Sequence, residues 1–231
     1  MPSDNAESLT IDLEDGRTVS GLLHIPRQPL ACLVLAHGAG AGMTHPFLSA
    51  LSTGLAERRI ATLRYQFPYM ERGSKRPDPP KIAQATVRAT IVLARRLVAP
   101  LPLFAGGKSF GGRMTSQAEA ESPLPGIRGL VFLGFPLHPP GRPSDERGRH
   151  LLDVRVPMLF LQGTRDDFAS PPLLRTLIGR LGPRATLELI ADADHSFRVP
   201  ARTRRGSEEV FTGMLEKLVA WMDSVRGRSE P

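Results

Sequence analysis

Leu101-Pro102-Leu103-Phe104-Ala105-Gly106-Gly107-Lys108-Ser109-Phe110-Gly111-Gly112 sets an apolar run directly before a serine flanked by glycines. Leu101 to Ala105 reads as a buried strand and the residues near Gly111 to Ala120 as a helix. Gly107-Lys108-Ser109-Phe110-Gly111 therefore falls on a tight strand-to-helix turn, the setting in which a GxSxG serine presents its hydroxyl. Side chains two positions either side of such a serine would strike the adjoining strand and helix, and glycine removes the collision. Gly106 and Gly112 extend the run of small residues. The five-residue pattern recurs by chance; its place between strand and helix gives it weight.

The same residues match the end of a phosphate-binding GxxxxGK[ST] loop, which needs glycine at position 102 and a loop before the lysine. Pro102 stands there and Leu103 to Ala105 continues the strand, so nucleotide binding is set aside.

On either side of this turn, strands and helices alternate. Leu9 to Leu13 and Thr18 to Ile25 form a hairpin pattern around Asp15-Gly16. Ala31 to Ala36 is almost wholly apolar, as a strand buried on both faces of a parallel sheet would be. A helix over Phe47 to Arg59, a strand over Ile60 to Tyr65 and a long amphipathic helix over Lys81 to Val98 follow. Beyond the serine come strands at Gly129 to Gly134, Pro157 to Gln162 and Thr186 to Ile190, with helices at Pro172 to Leu181 and Glu208 to Val225. The pattern predicts one α/β domain over residues 1–231, a mostly parallel sheet with an antiparallel N-terminal hairpin and helices on both faces. Gln66 to Pro80 and Pro136 to Asp153, rich in Pro, Gly and Arg, are expected to rim a crevice at the carboxyl ends of strands; neither is long enough for a lid domain.

A serine hydroxyl needs a base within reach and a third group to orient that base. On a sheet of this kind the chain order is serine, acid, histidine. His195 is the one histidine beyond the last two predicted strands, in Asp192-Ala193-Asp194-His195-Ser196-Phe197. His24, His37 and His45 precede the serine, and His138 and His150 come too early to follow the acid. Asp166 is favoured as the acid by its offset in Gly163-Thr164-Arg165-Asp166-Asp167, with Asp167 as its rival. Charge developing on a substrate oxygen needs preorganised backbone donors, and losing one typically costs about 10²–10³ in rate. The amides of Ala39, in His37-Gly38-Ala39-Gly40, and of Phe110 are the candidates; His37 itself is read as holding that loop.

Composition narrows the function classes. The formal net charge of +7 would suit nucleic acid or an anionic membrane, but the arginines are scattered, with local concentrations at Arg72–Arg76, Arg142–Arg155 and Arg198–Arg205 and no interleaved aromatics. Neither partner is expected. No stretch approaches the roughly 20 apolar residues of a membrane span. Cys32, the only cysteine, excludes an internal disulfide and sits in an apolar run where a buried thiol is the plain reading. No metal or organic cofactor is implied. Met1 to Thr10 lacks a basic and an apolar leader region, so a cytoplasmic protein is expected.

Taken together, Gly106-Gly107-Lys108-Ser109-Phe110-Gly111-Gly112-Arg113-Met114 and Arg64-Tyr65-Gln66-Phe67-Pro68-Tyr69 resemble the α/β hydrolase superfamily over nearly the whole chain. More narrowly they resemble a compact, lidless branch akin to dienelactone hydrolases. That branch includes the hydrolase-like domains of testis-expressed protein 30 and of subunit 3 of the nonspecific lethal complex. Dienelactone hydrolases proper carry cysteine at the elbow, where this chain has Ser109. The resemblance implies the same Ser109, Asp166 and His195.

The expected activity is hydrolysis of an ester, thioester or similar acyl bond of a small soluble substrate through an acyl-enzyme on Ser109. The alternative is a binding or scaffold protein that keeps the fold without the chemistry. Arg64, Tyr65, Phe67 and Tyr69 in one crevice loop and His138 in the other are expected to line the substrate pocket and to favour an anionic or aromatic acyl group.

Overall fold

The computed structural model describes residues 6–201, 203 and 206–227. The readings of the first five residues and of Arg202, Arg204 and Arg205 lie outside the described residues. The chain runs β1 (Glu7–Asp12), β2 (Thr18–His24), β3 (Ala31–Ala36), α1 (Pro46–Ala56), β4 (Ile60–Tyr65), α2 (Pro68–Glu71), α3 (Pro80–Leu97), β5 (Leu103–Lys108) and α4 (Phe110–Glu121). It continues with β6 (Ile127–Leu133), a 3₁₀ helix (Glu146–Asp153), β7 (Met158–Gly163), α5 (Pro171–Leu181), β8 (Ala185–Ile190) and α6 (Ser207–Arg226).

The eight strands form one sheet in the order β1-β2-β4-β3-β5-β6-β7-β8. β1 pairs antiparallel with β2, and β2 with β4; every other pairing is parallel. The hairpin register is Asp12 opposite Thr18, closed by a turn in which Gly16 takes φ +81°. Strand order reverses between β3 and β5, so the carboxyl ends of these two strands open a crevice.

Side-chain alternation in β3 shows why the run is apolar throughout. Cys32, Val34 and Ala36 point into one core layer with Val87 and Ile91 of α3, Met114 of α4 and Leu174 of α5. Ala31, Leu33 and Leu35 point into the other, with Leu51 and Leu55 of α1 and Met214 and Leu218 of α6. A strand covered on both faces admits a polar residue only where a buried partner meets it, and β3 carries none. In α3 the buried set Ala83, Val87, Ile91 and Ala94 follows helical spacing, whereas Lys81, Arg95 and Arg96 face solvent. Prolines open α1, α3 and α5, where a missing N–H leaves no helical hydrogen bond unmade. Cys32 is fully buried, and desolvation pushes its thiol up to about 12, so it is an inert core residue. No helix among the described residues is long and apolar enough to cross a membrane.

Candidate active site

Ser109 stands between β5 and α4 with φ +49° and ψ −114°, a strained conformation for any residue with a side chain. Its surroundings leave no room for an ordinary turn. A methyl group on Gly107 would lie 2.3 Å from the Ala36 carbonyl oxygen, and one on Gly111 would lie 2.5 Å from that of His37. The end of β3 is thus packed directly against the elbow, which is why both positions need glycine.

His195 Nε2 lies 2.9 Å from Ser109 Oγ, and His195 Nδ1 lies 2.7 Å from Asp166 Oδ2. With the proton on Nδ1 donated to the carboxylate, Nε2 is free to accept the serine proton. Asp166 is buried, and its acceptors are further engaged by Gln162 Nε2, which donates to Oδ2 at 2.5 Å, and by the Phe168 N–H, which donates to Oδ1 at 2.8 Å. Asp167 is exposed in the same turn. Of the two carboxylates, Asp166 is the one brought to the imidazole. The Phe168 ring packs on His195 with centroids 4.3 Å apart.

The Ala39 loop is held from below. Burial pushes the His37 imidazole down to about 4, so it is neutral, and the proton on Nδ1 is donated to the Gly38 carbonyl at 2.7 Å. Its Nε2 accepts the Phe67 N–H at 3.1 Å. Tyr69 Oη accepts the Gly40 N–H at 3.1 Å. Ala39 lines the cleft beside Ser109, and its own N–H has no protein acceptor among the described residues. Phe110 opens α4, where the first N–H groups have no partner within the helix. These are the two amides read from the sequence as oxyanion donors.

The cleft over Ser109 encloses about 540 Å³ and is walled by Ala39, His45, Phe47, Phe168 and Arg198. A larger hollow of about 670 Å³ lies against α6, lined by Glu208, Glu209 and Glu216 and not by Ser109 or His195. Correction is needed for the expected pocket residues, none of which lines the cleft. Arg64 is fully buried, its Nη1 donating to Ser49 Oγ at 2.8 Å and to the Met43 carbonyl at 3.3 Å. Tyr65, Phe67 and Tyr69 are core residues, with Phe67 meeting Tyr65 edge-on and stacking on Tyr69 beneath the Ala39 loop. His138 is buried too: its Nδ1 donates to the Pro139 carbonyl and its Nε2 accepts the Ser170 N–H, tying the Pro136–Asp153 segment to the start of α5. The two long segments support the site rather than rim it.

Several site residues escaped the sequence reading. Phe47 and Phe168 carry no motif. Gln162 had a usable signal, since a polar residue ending a fully buried strand needs a buried partner. Lys108 lies inside the motif, but its spacing carries no signal that its side chain turns toward the base.

The model of the alpha/beta hydrolase domain family matches residues 29–223, and the chain belongs to that family. Solved structures with the same fold include an α/β serine hydrolase without a lid from Xanthomonas campestris, 20% identical, with TM-score 0.73 and 96% of each chain covered. A dienelactone hydrolase from Anabaena variabilis is 18% identical with TM-score 0.76, covering 95% of this chain and 97% of that one. The esterase domain of a Rhodothermus marinus protein is 16% identical with TM-score 0.70, covering 96% of this chain and all of that one.

Proposed function

We propose that the protein is a serine hydrolase that cleaves a carboxylic ester, thioester or similar acyl bond of a small soluble substrate. The observation that carries this reading is the unbroken hydrogen-bonded series Ser109–His195–Asp166 opening into the cleft. Ser109 Oγ attacks the carbonyl carbon while its proton passes to His195 Nε2, and the Ala39 and Phe110 amides receive the oxyanion. Collapse breaks the bond to the leaving group, which takes the proton from Nε2. Water then attacks the acyl-enzyme, gives a proton to Nε2, and the acid departs as that proton returns to Ser109 Oγ. Asp166 orients the imidazole and stays ionised throughout.

The cleft volume falls within the range of small-molecule sites, about 300–1,000 Å³. Its aromatic walls, Phe47 and Phe168, favour a compact apolar acyl or leaving group. A panel of p-nitrophenyl esters and acyl thioesters tests the reading, with Ser109→Ala as control. Turnover of short acyl groups that disappears in the variant supports it; a folded chain that hydrolyses none of them, or a variant as active as the parent, overturns it.

A further inference from the structure

The elbow holds a charge that the reaction as written does not use. Lys108 ends β5, and its Nζ is buried without a hydrogen-bond partner. An ammonium removed from water without acceptors is strongly unfavourable, so its retention calls for a reason.

Geometry locates it beside the base and the acid. Gly134 follows β6 with φ +69°, and a methyl group there would lie 3.0 Å from Lys108 Nζ, 3.3 Å from His195 Nδ1 and 3.4 Å from Asp166 Oδ2. Ammonium, imidazole and carboxylate therefore surround one small space, kept open because residue 134 has no side chain. The Phe197 ring closes another side, its centroid 5.6 Å from Nζ. The lysine stem passes beneath the Ala39 loop, with Cγ 3.5 Å from where a Gly38 methyl would stand. Two carboxylates act on the ammonium: Asp166 from the turn after β7 and Asp194 from the loop after β8. Gly134 and Phe197 turn no charge toward it. Arg198, also near the base, is exposed at the cleft wall.

Building on the serine hydrolase reading, we infer that Lys108 is a positioning residue whose positive charge, set behind the base, opposes protonation of His195 between turnovers. A cation next to an imidazole in a poorly solvated space disfavours the imidazolium. Burial draws the lysine down to about 8, against the pull of Asp166 and Asp194, so at neutral pH the charge is present. The base then stays able to accept the Ser109 proton at lower pH than it could without Lys108.

The test is the pH dependence of Ser109 labelling by a fluorophosphonate probe in the full chain, with Lys108→Met, Lys108→Gln and Lys108→Arg. Loss of the charge should move the acid limb of the labelling rate upward by about one pH unit in the Met and Gln variants. The Arg variant should keep the parental limb. Lys108→Met should melt at or above the parental temperature, because the ammonium contributes no hydrogen bond to the fold. An acid limb unmoved in Met and Gln, a limb displaced as far in Arg as in Met, or a Met variant that does not fold each contradicts the inference. An unmodified chain that never labels defeats the hydrolase reading itself, whereas labelling with one limb common to parent and variants defeats only the role of Lys108.

Discussion

The Phe67 N–H donates to His37 Nε2 at 3.1 Å, tying the segment after β4 to the loop that carries Ala39. His37→Ala leaves a buried amide without an acceptor and releases that loop, so the cost falls on charge stabilisation rather than on substrate contact. The expected result is kcat lower by about 10- to 100-fold with KM changed less than about threefold. Steady-state kinetics on p-nitrophenyl acetate checks it; a rise in KM at constant kcat would count against the account.

Asp166 and Asp167 are neighbours with opposite surroundings, one buried against His195 and Gln162, the other exposed. Asp166→Asn should favour the wrong imidazole tautomer and lower kcat about 10⁴-fold, whereas Asp167→Asn should stay within about threefold of the parent. Both variants should retain the parental circular dichroism spectrum, so that activity alone separates them.

Acid should weaken the fold through two imidazoles, the buried His37 and the half-buried His150. Burial draws His37 and His150 each down to about 4, and Arg113 adds repulsion at His150. Between their unfolded value of about 6.5 and their folded one, the unfolded chain binds more protons. Stability from these groups is therefore complete above that window and is lost as pH falls through it. His150 Nε2 lies 2.8 Å from Ser116 Oγ, a contact glutamine can imitate without a titrating ring. Melting between pH 7 and pH 4.5 should show a smaller fall in Tm for His150→Gln than for the parent; equal falls would refute the assignment.

The elbow glycines offer a steric test. Gly107→Ala would place a methyl 2.3 Å from a backbone oxygen of β3, and overpacking of that kind costs about 1–3 kcal/mol or more. Scanning calorimetry should find Tm lower by roughly 5–10 °C, with activity lost. Gly179→Ala in α5, where nothing lies within 4 Å, should hold or slightly raise Tm.

Much of this architecture was legible in the residues because its causes are local. An all-apolar Ala31–Ala36 among alternating helices and strands reads as a strand covered on both faces, and a serine between glycines, set after a buried strand and before a helix, reads as one on a cramped turn. Chain order then separated His195 from the other histidines. The direction of the crevice segments was not legible. Arg64 and Tyr65 are consecutive in a strand and point to opposite faces, one under α1 and one into the core. Phe67 and Tyr69 continue beneath the Ala39 loop because the chain folds under it, a choice made by tertiary packing around His37 that no spacing announces. Phe47 and Phe168 reach the cleft from segments whose composition resembles ordinary helix and turn.

The account depends on Ser109 being the nucleophile that His195 activates. Incubating the intact chain with a fluorophosphonate and locating the adduct by peptide mass spectrometry tests this directly. The account predicts stoichiometric modification of Ser109, abolished in Ser109→Ala and slowed at least about 10³-fold in His195→Ala. Modification at a different residue, or unchanged labelling of Ser109 after loss of the imidazole, would contradict it.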